Sequence, residues 1–126
     1  MESMSQSLED YLEAVYMLIA DGKTAQVRDV AKILSVKMPS VVKAIHELKR
    51  LGLVTQEPYS NIELTEKGSR VAKLVLNRHT LLRSFLVKLG VSGETADHDA
   101  CLMEHILSAE TLDKIRIFTE QKGDKR

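Results

Sequence analysis

Six side chains in this chain are of the types that hold metal ions, and their spacing groups them. Cys101, Glu104 and His105 fall within the run Cys101-Leu102-Met103-Glu104-His105, Asp10 and Glu13 stand three apart near the start, and His79 lies between the two groups. Helical residues advance by about 100° each, so a helix through Cys101 would carry Cys101, Glu104 and His105 inside one arc of roughly 100°, and Asp10 and Glu13 would share a face of another helix. A thiolate, two imidazoles and three carboxylates suit a first-row transition metal better than calcium or magnesium. Taken singly, each residue has an ordinary explanation. Acidic residues usually line a solvated helix face, a lone cysteine usually fills a core, and a Glu-His pair usually lies on a surface. Only a meeting of the three helices would make a site.

The elements that must position these residues are mostly helical. Ser7 is a candidate N-cap with Asp10 three residues on, and Leu8, Leu12, Val15, Tyr16 and Ile19 form an apolar stripe that ends at Gly22. Val27, Val30, Ala31 and Leu34 repeat the pattern. After a turn over Ser35–Met38, Pro39 opens a third helix to Leu51 with Val41, Val42, Ile45 and Leu48 inward, and Gly52 ends it. Residues 53–57 and 61–64 alternate as short strands around Pro58-Tyr59-Ser60 and predict a hairpin. Thr65-Glu66-Lys67-Gly68 then caps a long helix to about Leu89, followed by helices from about Gly93 to Leu107 and, capped by Ser108, to about Gln121.

Helices followed by a β-hairpin in this order predict a winged helix-turn-helix: a mainly α fold with a small β-hairpin, whose third helix enters the major groove of DNA. The charge pattern agrees. Residues 1–22 hold five acids and no Lys or Arg, residues 23–50 hold seven bases against two acids, and residues 94–120 hold seven acids against two bases. Net charge is zero, so a basic block lies between acidic ones. Pro39 fixes the start of the recognition helix, and Ser40, Lys43 and Ala44 project from its first turns, where base edges would be. Arg28, Lys32, Lys37 and Lys49 are placed for phosphates.

At 126 residues the chain accommodates two small, interdependent units. The expected division is a winged-helix DNA-binding domain over 1–72 and a helical metal-binding and dimerisation domain over 73–126. The long helix carries more apolar surface than a winged domain needs, and Met103, Ile106, Ile115 and Phe118 remain for a partner, which predicts a homodimer on a palindromic operator. No run of 18 apolar residues and no leader is seen, and a single cysteine suits a reducing compartment, so a cytoplasmic protein without membrane contact is expected.

Glu9-Asp10-Tyr11-Leu12-Glu13-Ala14-Val15-Tyr16, Pro39-Ser40-Val41, Leu64-Thr65-Glu66-Lys67-Gly68, Arg78-His79-x-Leu81-Leu82 and Cys101-x-x-Glu104-His105-x-Leu107-Ser108 together resemble the DtxR/MntR family of metal-dependent transcriptional repressors. The resemblance spans nearly the whole chain, in the short two-domain form. It implies Fe²⁺ or Mn²⁺ as co-repressor, with Co²⁺, Ni²⁺ or Zn²⁺ able to substitute in vitro, and it implies Asp10, Glu13, His79, Cys101, Glu104 and His105 as ligands. The manganese-selective branch usually has Glu in place of Cys101, and the iron-responsive branch usually has Met in place of Asp10. The softer thiolate favours Fe²⁺ over Mn²⁺. The residue four after His79, an ancillary ligand in the iron branch, is here the cation Arg83, so that ancillary site is not expected in its usual form; His98, displaced by one residue from the matching position, is assigned to the surface, with an accessory ligand as the alternative. The wing tip, residues 58–61, lacks basic residues.

The resemblance predicts a repressor, not an enzyme: a metallohydrolase would need a further general base beside an open coordination position. The alternative is a winged-helix regulator that senses oxidation or a small ligand through Cys101 without metal. In the metal reading, Asp10, Glu13 and Glu104 repel one another until a divalent cation offsets their charge, and DNA and metal then tighten each other's binding by one common factor.

Overall fold

The apolar stripes of the first 64 residues close on each other through side chains that leave almost no surface exposed. The computed structural model describes residues 5–124. In chain order it contains α1 (Gln6–Ala20), α2 (Val27–Leu34), α3 (Met38–Arg50), β1 (Val54–Thr55), β2 (Glu63–Leu64), α4 (Glu66–Leu89), α5 (Gly93–Met103) and α6 (Ala109–Asp124). The chain divides into two compact units between Leu74 and Val75, within α4.

In the first unit, Leu12 and Val15 of α1, Val30 of α2, Val41, Ile45 and Leu48 of α3, and Ile62 beside the hairpin are all buried in one core. Burying side chains of this size contributes about 2 kcal/mol each. The cap of α1 is Ser5, whose hydroxyl accepts from the Leu8 amide at 3.1 Å, rather than Ser7. Tyr11 and Leu18 are buried and Ile19 is exposed, so the inward stripe is rotated from the expected one. Between α2 and α3, Ser35 turns the chain in the left-handed region at φ 55°. α3 begins one residue before Pro39. Its buried positions, 41, 44, 45 and 48, follow helical periodicity.

The hairpin is shorter than its alternating residues suggest: Val54 pairs with Leu64 and Thr55 with Glu63, antiparallel. A single bridge from Ala25 to Ile62 ties its second arm back to the loop before α2. The turn passes through Tyr59 at φ 61°. This is a winged helix-turn-helix. The hairpin's return into α4 depends on Gly68, because a Cβ there would stand 1.9 Å from the Leu53 carbonyl oxygen. Thr65 secures the same corner, accepting from the Gly68 amide at 2.9 Å and donating to the Gly52 carbonyl at 2.7 Å.

In the second unit, the later part of α4 packs with α5 and α6. Leu82, Leu86, Ala96 and Ala100 are buried, and Phe85 meets Phe118 edge to face at 6.2 Å between ring centres. α5 stops at Met103, four residues short of the expected end. From Glu104 the chain tightens, with the His105 amide bonding the Leu102 carbonyl and the Ile106 amide that of Met103, until Ser108 caps α6 through the Thr111 amide. Among the described residues no helix is long and apolar enough to cross a membrane.

Candidate metal centre and nucleic-acid interface

The end of α5 decides how its ligand-type residues are presented. Glu104 is the C-cap, still helical in its backbone, and His105 follows in the tightened turn, so of the arc expected for Cys101, Glu104 and His105 only His105 leaves the continuous helix. Glu104 is nonetheless 2 % exposed, a carboxylate held inside the second unit. Its Oε1 lies 2.9 Å from His79 Nδ1 of α4, and its Oε2 lies 3.6 Å from Nε2 of the equally secluded His105 side chain. Cys101 is half-buried one turn earlier.

His79 uses its second nitrogen as well: Nε2 is 2.9 Å from Oδ1 of Asp97, and that oxygen is 3.5 Å from Arg83 Nε. Burial by itself lowers the His79 pKa, but the hydrogen bonds to Asp97 and Glu104 and the charges behind them outweigh it and hold the ring above its usual value. A protonated His79 can donate to both carboxylates at once. Asp97 is the residue that reading by ligand type passed over, counting it only as charge. The signal was present: Asp97, Cys101 and Glu104 are spaced i, i+4, i+7 on one helix face.

The donors fit a divalent cation. Neighbouring ligands of an octahedral ion at about 2.1 Å stand about 3 Å apart, close to the spacing of His79 Nδ1 and Glu104 Oε1, and imidazole with carboxylate is a donor set for manganese or iron. Among the described residues no three His, Cys, Asp or Glu side chains already surround one point. Without a cation the donors bond one another instead. Asp10 and Glu13 lie on α1 of the first unit, both partly exposed, whereas His79, Cys101, Glu104 and His105 belong to the second. His98 is exposed, with Nδ1 3.4 Å from Asp99.

On the first unit, Arg28, Lys32, Lys37, Pro39, Ser40, Lys43 and Lys49 are all exposed, and Lys49 Nζ is 3.5 Å from the Gln56 carbonyl. Two neighbours on α3 depart from expectation. Val42, expected inward, is 55 % exposed, and Ala44, expected to face DNA, is buried. Residues 41, 44, 45 and 48 complete the inward face, which turns 42, 43 and 46 outward.

The family model for the N-terminal DNA binding domain of iron dependent repressors matches residues 3–62, and that for their metal binding and dimerisation domain matches 65–122. An HTH-type transcriptional regulator of Methanocaldococcus jannaschii is 44% identical over 124 residues, covering 97% of this chain and 99% of that protein. The HTH-type transcriptional regulator MntR of Bacillus subtilis is 38% identical, covering 95% of this chain and 87% of its own length. Among solved structures, the manganese regulator SloR matches 93% of this chain with a TM-score of 0.81 at 25% identity, and the chain spans 55% of that protein's length. Its relatives are transcriptional regulators rather than enzymes, and the chain belongs to the DtxR/MntR family of metal-dependent transcriptional repressors.

Proposed function

We propose that the chain represses transcription as a homodimer on double-stranded DNA in the cytoplasm, with a divalent metal as co-repressor. Residues 1–72 would serve DNA binding and residues 73–126 metal binding and dimerisation. The observation that carries the reading is the meeting of His79 with the buried Glu104 at 2.9 Å, with His105 on the other carboxylate oxygen, in the part of the chain that matches a metal-binding domain. Asp10, Glu13, His79, Cys101, Glu104 and His105 are the proposed ligands. When bound, the cation supplies positive charge against three carboxylates. Asp10 and Glu13 precede the DNA-reading helices in the chain, and the other four follow them.

Pro39, Ser40 and Lys43 of α3 would meet base edges, and Arg28, Lys32, Lys37 and Lys49 phosphates; all are exposed as such contacts require. Ile106 and Phe118, expected to remain for a partner, are exposed on the second unit, while Met103 and Ile115 are half-buried, and this supports a dimer contact there. Cys101 favours Fe²⁺, with Mn²⁺ next, because affinity for a thiolate rises from manganese to iron along the first-row series. The names of the relatives point to manganese as well as iron, so the choice is a matter for measurement. The deciding test is fluorescence anisotropy on the chain's own promoter DNA. Affinity should rise at least tenfold from chelator to Fe²⁺ (anaerobic) or Mn²⁺, and equal affinity in all three would overturn the proposal.

A further inference from the structure

His79 is engaged through both ring nitrogens, and the ligand set above uses only one. Nδ1 faces Glu104 Oε1 and Nε2 faces Asp97 Oδ1, each at 2.9 Å. The two nitrogens point away from each other, so one ion cannot receive both. A neutral imidazole carries one N–H and one lone pair, and which nitrogen keeps the proton is set by its partners. We propose that Asp97 is a positioning residue for the cation site: its carboxylate keeps the His79 proton on Nε2 and presents the Nδ1 lone pair beside Glu104. This rests on the reading of His79 and Glu104 as ligands.

The alternative tautomer shows why the position needs a carboxylate. Glu104 is itself a strong acceptor, buried and fixed, and with nothing but water at Nε2 it would draw the single proton to Nδ1, into the place of the cation. Asp97 competes from the other edge of the ring. It lies on the same face of α5 as Cys101 and Glu104, so one helix delivers both a proposed ligand and the residue that orients that ligand's neighbour. Arg83 Nε stands 3.5 Å from the Asp97 oxygen, and the guanidinium lies over the first residue of α5, where a Cβ on Gly93 would come within 3.0 Å of Nη2. A carboxylate on the distal nitrogen of a ligating histidine fixes its orientation and raises its basicity, and removing such a partner typically weakens metal binding 10- to 100-fold. The Asp97 side chain is 61% exposed, so its removal opens no cavity.

The test uses the full chain, with Mn²⁺ affinity measured against a competing fluorescent chelator for the native protein, Asp97→Ala and Asp97→Asn. Long-range ¹H–¹⁵N spectra of the metal-free, histidine-labelled proteins, at a pH where the ring is neutral, report the tautomer. Asp97→Ala should bind Mn²⁺ about 10- to 100-fold more weakly with unchanged circular dichroism. Asp97→Asn, which keeps an acceptor oxygen, should recover part of the loss. Native His79 should carry its proton on Nε2. Mn²⁺ affinity of Asp97→Ala within twofold of native, or a native ring protonated on Nδ1, overturns the inference while leaving the metal site standing. If Asp97→Ala does not fold, Asp97→Asn and the native spectrum still decide. A native chain that binds no Mn²⁺ overturns the site and this inference together.

Discussion

His79 Nδ1 and Glu104 Oε1 lie 2.9 Å apart although 25 residues separate them in the chain, and the carboxylate is the more buried partner. A buried carboxylate so placed serves fold and ligand at once: in the metal-free protein it accepts from His79 when the ring is doubly protonated, and in the proposed repressor it accepts a cation. Replacing it by its amide separates the two roles. Glu104→Gln keeps the shape and a hydrogen-bonding oxygen beside His79, so the metal-free melting temperature should stay within a few degrees of native. Mn²⁺ or Fe²⁺ affinity, followed by calorimetry, should fall at least tenfold, since a charged donor is gone. Unchanged affinity would remove Glu104 from the ligand set.

Acidity should act on this pair in two opposite ways. His79 is held above the usual histidine value near 6.5, so its contribution to stability is complete below that value and is lost as pH rises through the higher folded-state value. Metal-free protein should therefore become less stable on going from about pH 6 toward alkaline pH, and His79→Gln should show a smaller decline. Cation binding needs the lone pair that the proton occupies, so Mn²⁺ affinity should rise over the same interval. Melting curves at stepped pH with and without Mn²⁺ check both slopes.

Of the first unit's glycines at 22, 52 and 68, Gly68 alone has backbone where a Cβ would stand. An alanine there would bring Cβ to 1.9 Å from the Leu53 carbonyl oxygen, which is backbone and cannot swing aside. Gly68→Ala should cost about 3 kcal/mol or more in denaturant unfolding, by the overpacking rule. A cost under 0.5 kcal/mol, the range of ordinary surface changes, would contradict the packing of the hairpin against α4.

On α3, stability and DNA affinity should separate by position. Lys43→Ala and Val42→Ala alter exposed side chains and should leave unfolding within about 0.5 kcal/mol of native. Lys43→Ala should weaken operator binding and, if Lys43 meets a phosphate instead of a base, lower the salt slope by about one. Val42→Ala should lose affinity only where a thymine methyl lies opposite, tested with uracil-substituted operators. Ala44→Leu, at a buried position, should destabilise the fold by about 1–3 kcal/mol.

Cys101→Glu exchanges a soft donor for a hard one. Operator binding compared across Mn²⁺, Fe²⁺, Co²⁺ and Zn²⁺ should shift toward Mn²⁺ by severalfold relative to native. An unchanged ranking would show that Cys101 does not set the metal preference.

Local rules were enough for much of this protein. Apolar periodicity, Pro39, the glycines at 22, 52 and 90, and alternation around Pro58-Tyr59-Ser60 announce six helices and a hairpin in the right order, because each signal acts within one turn of chain. The resemblance in Asp10, Glu13, His79, Cys101, Glu104 and His105 named the family before any contact was visible. Tertiary structure decided what depends on distant partners. Periodicity could not say which of Val42 and Ala44 faces inward, since both lie at the edge of the stripe and only packing against α1 and α2 resolves a rotation of one residue. It could not end α5 at Met103, where the turn into the Ser108 cap overrides helix propensity. Nor could it find Asp97 at the far nitrogen of His79, because a hydrogen bond between residues 18 apart exists only once α4 and α5 are packed together.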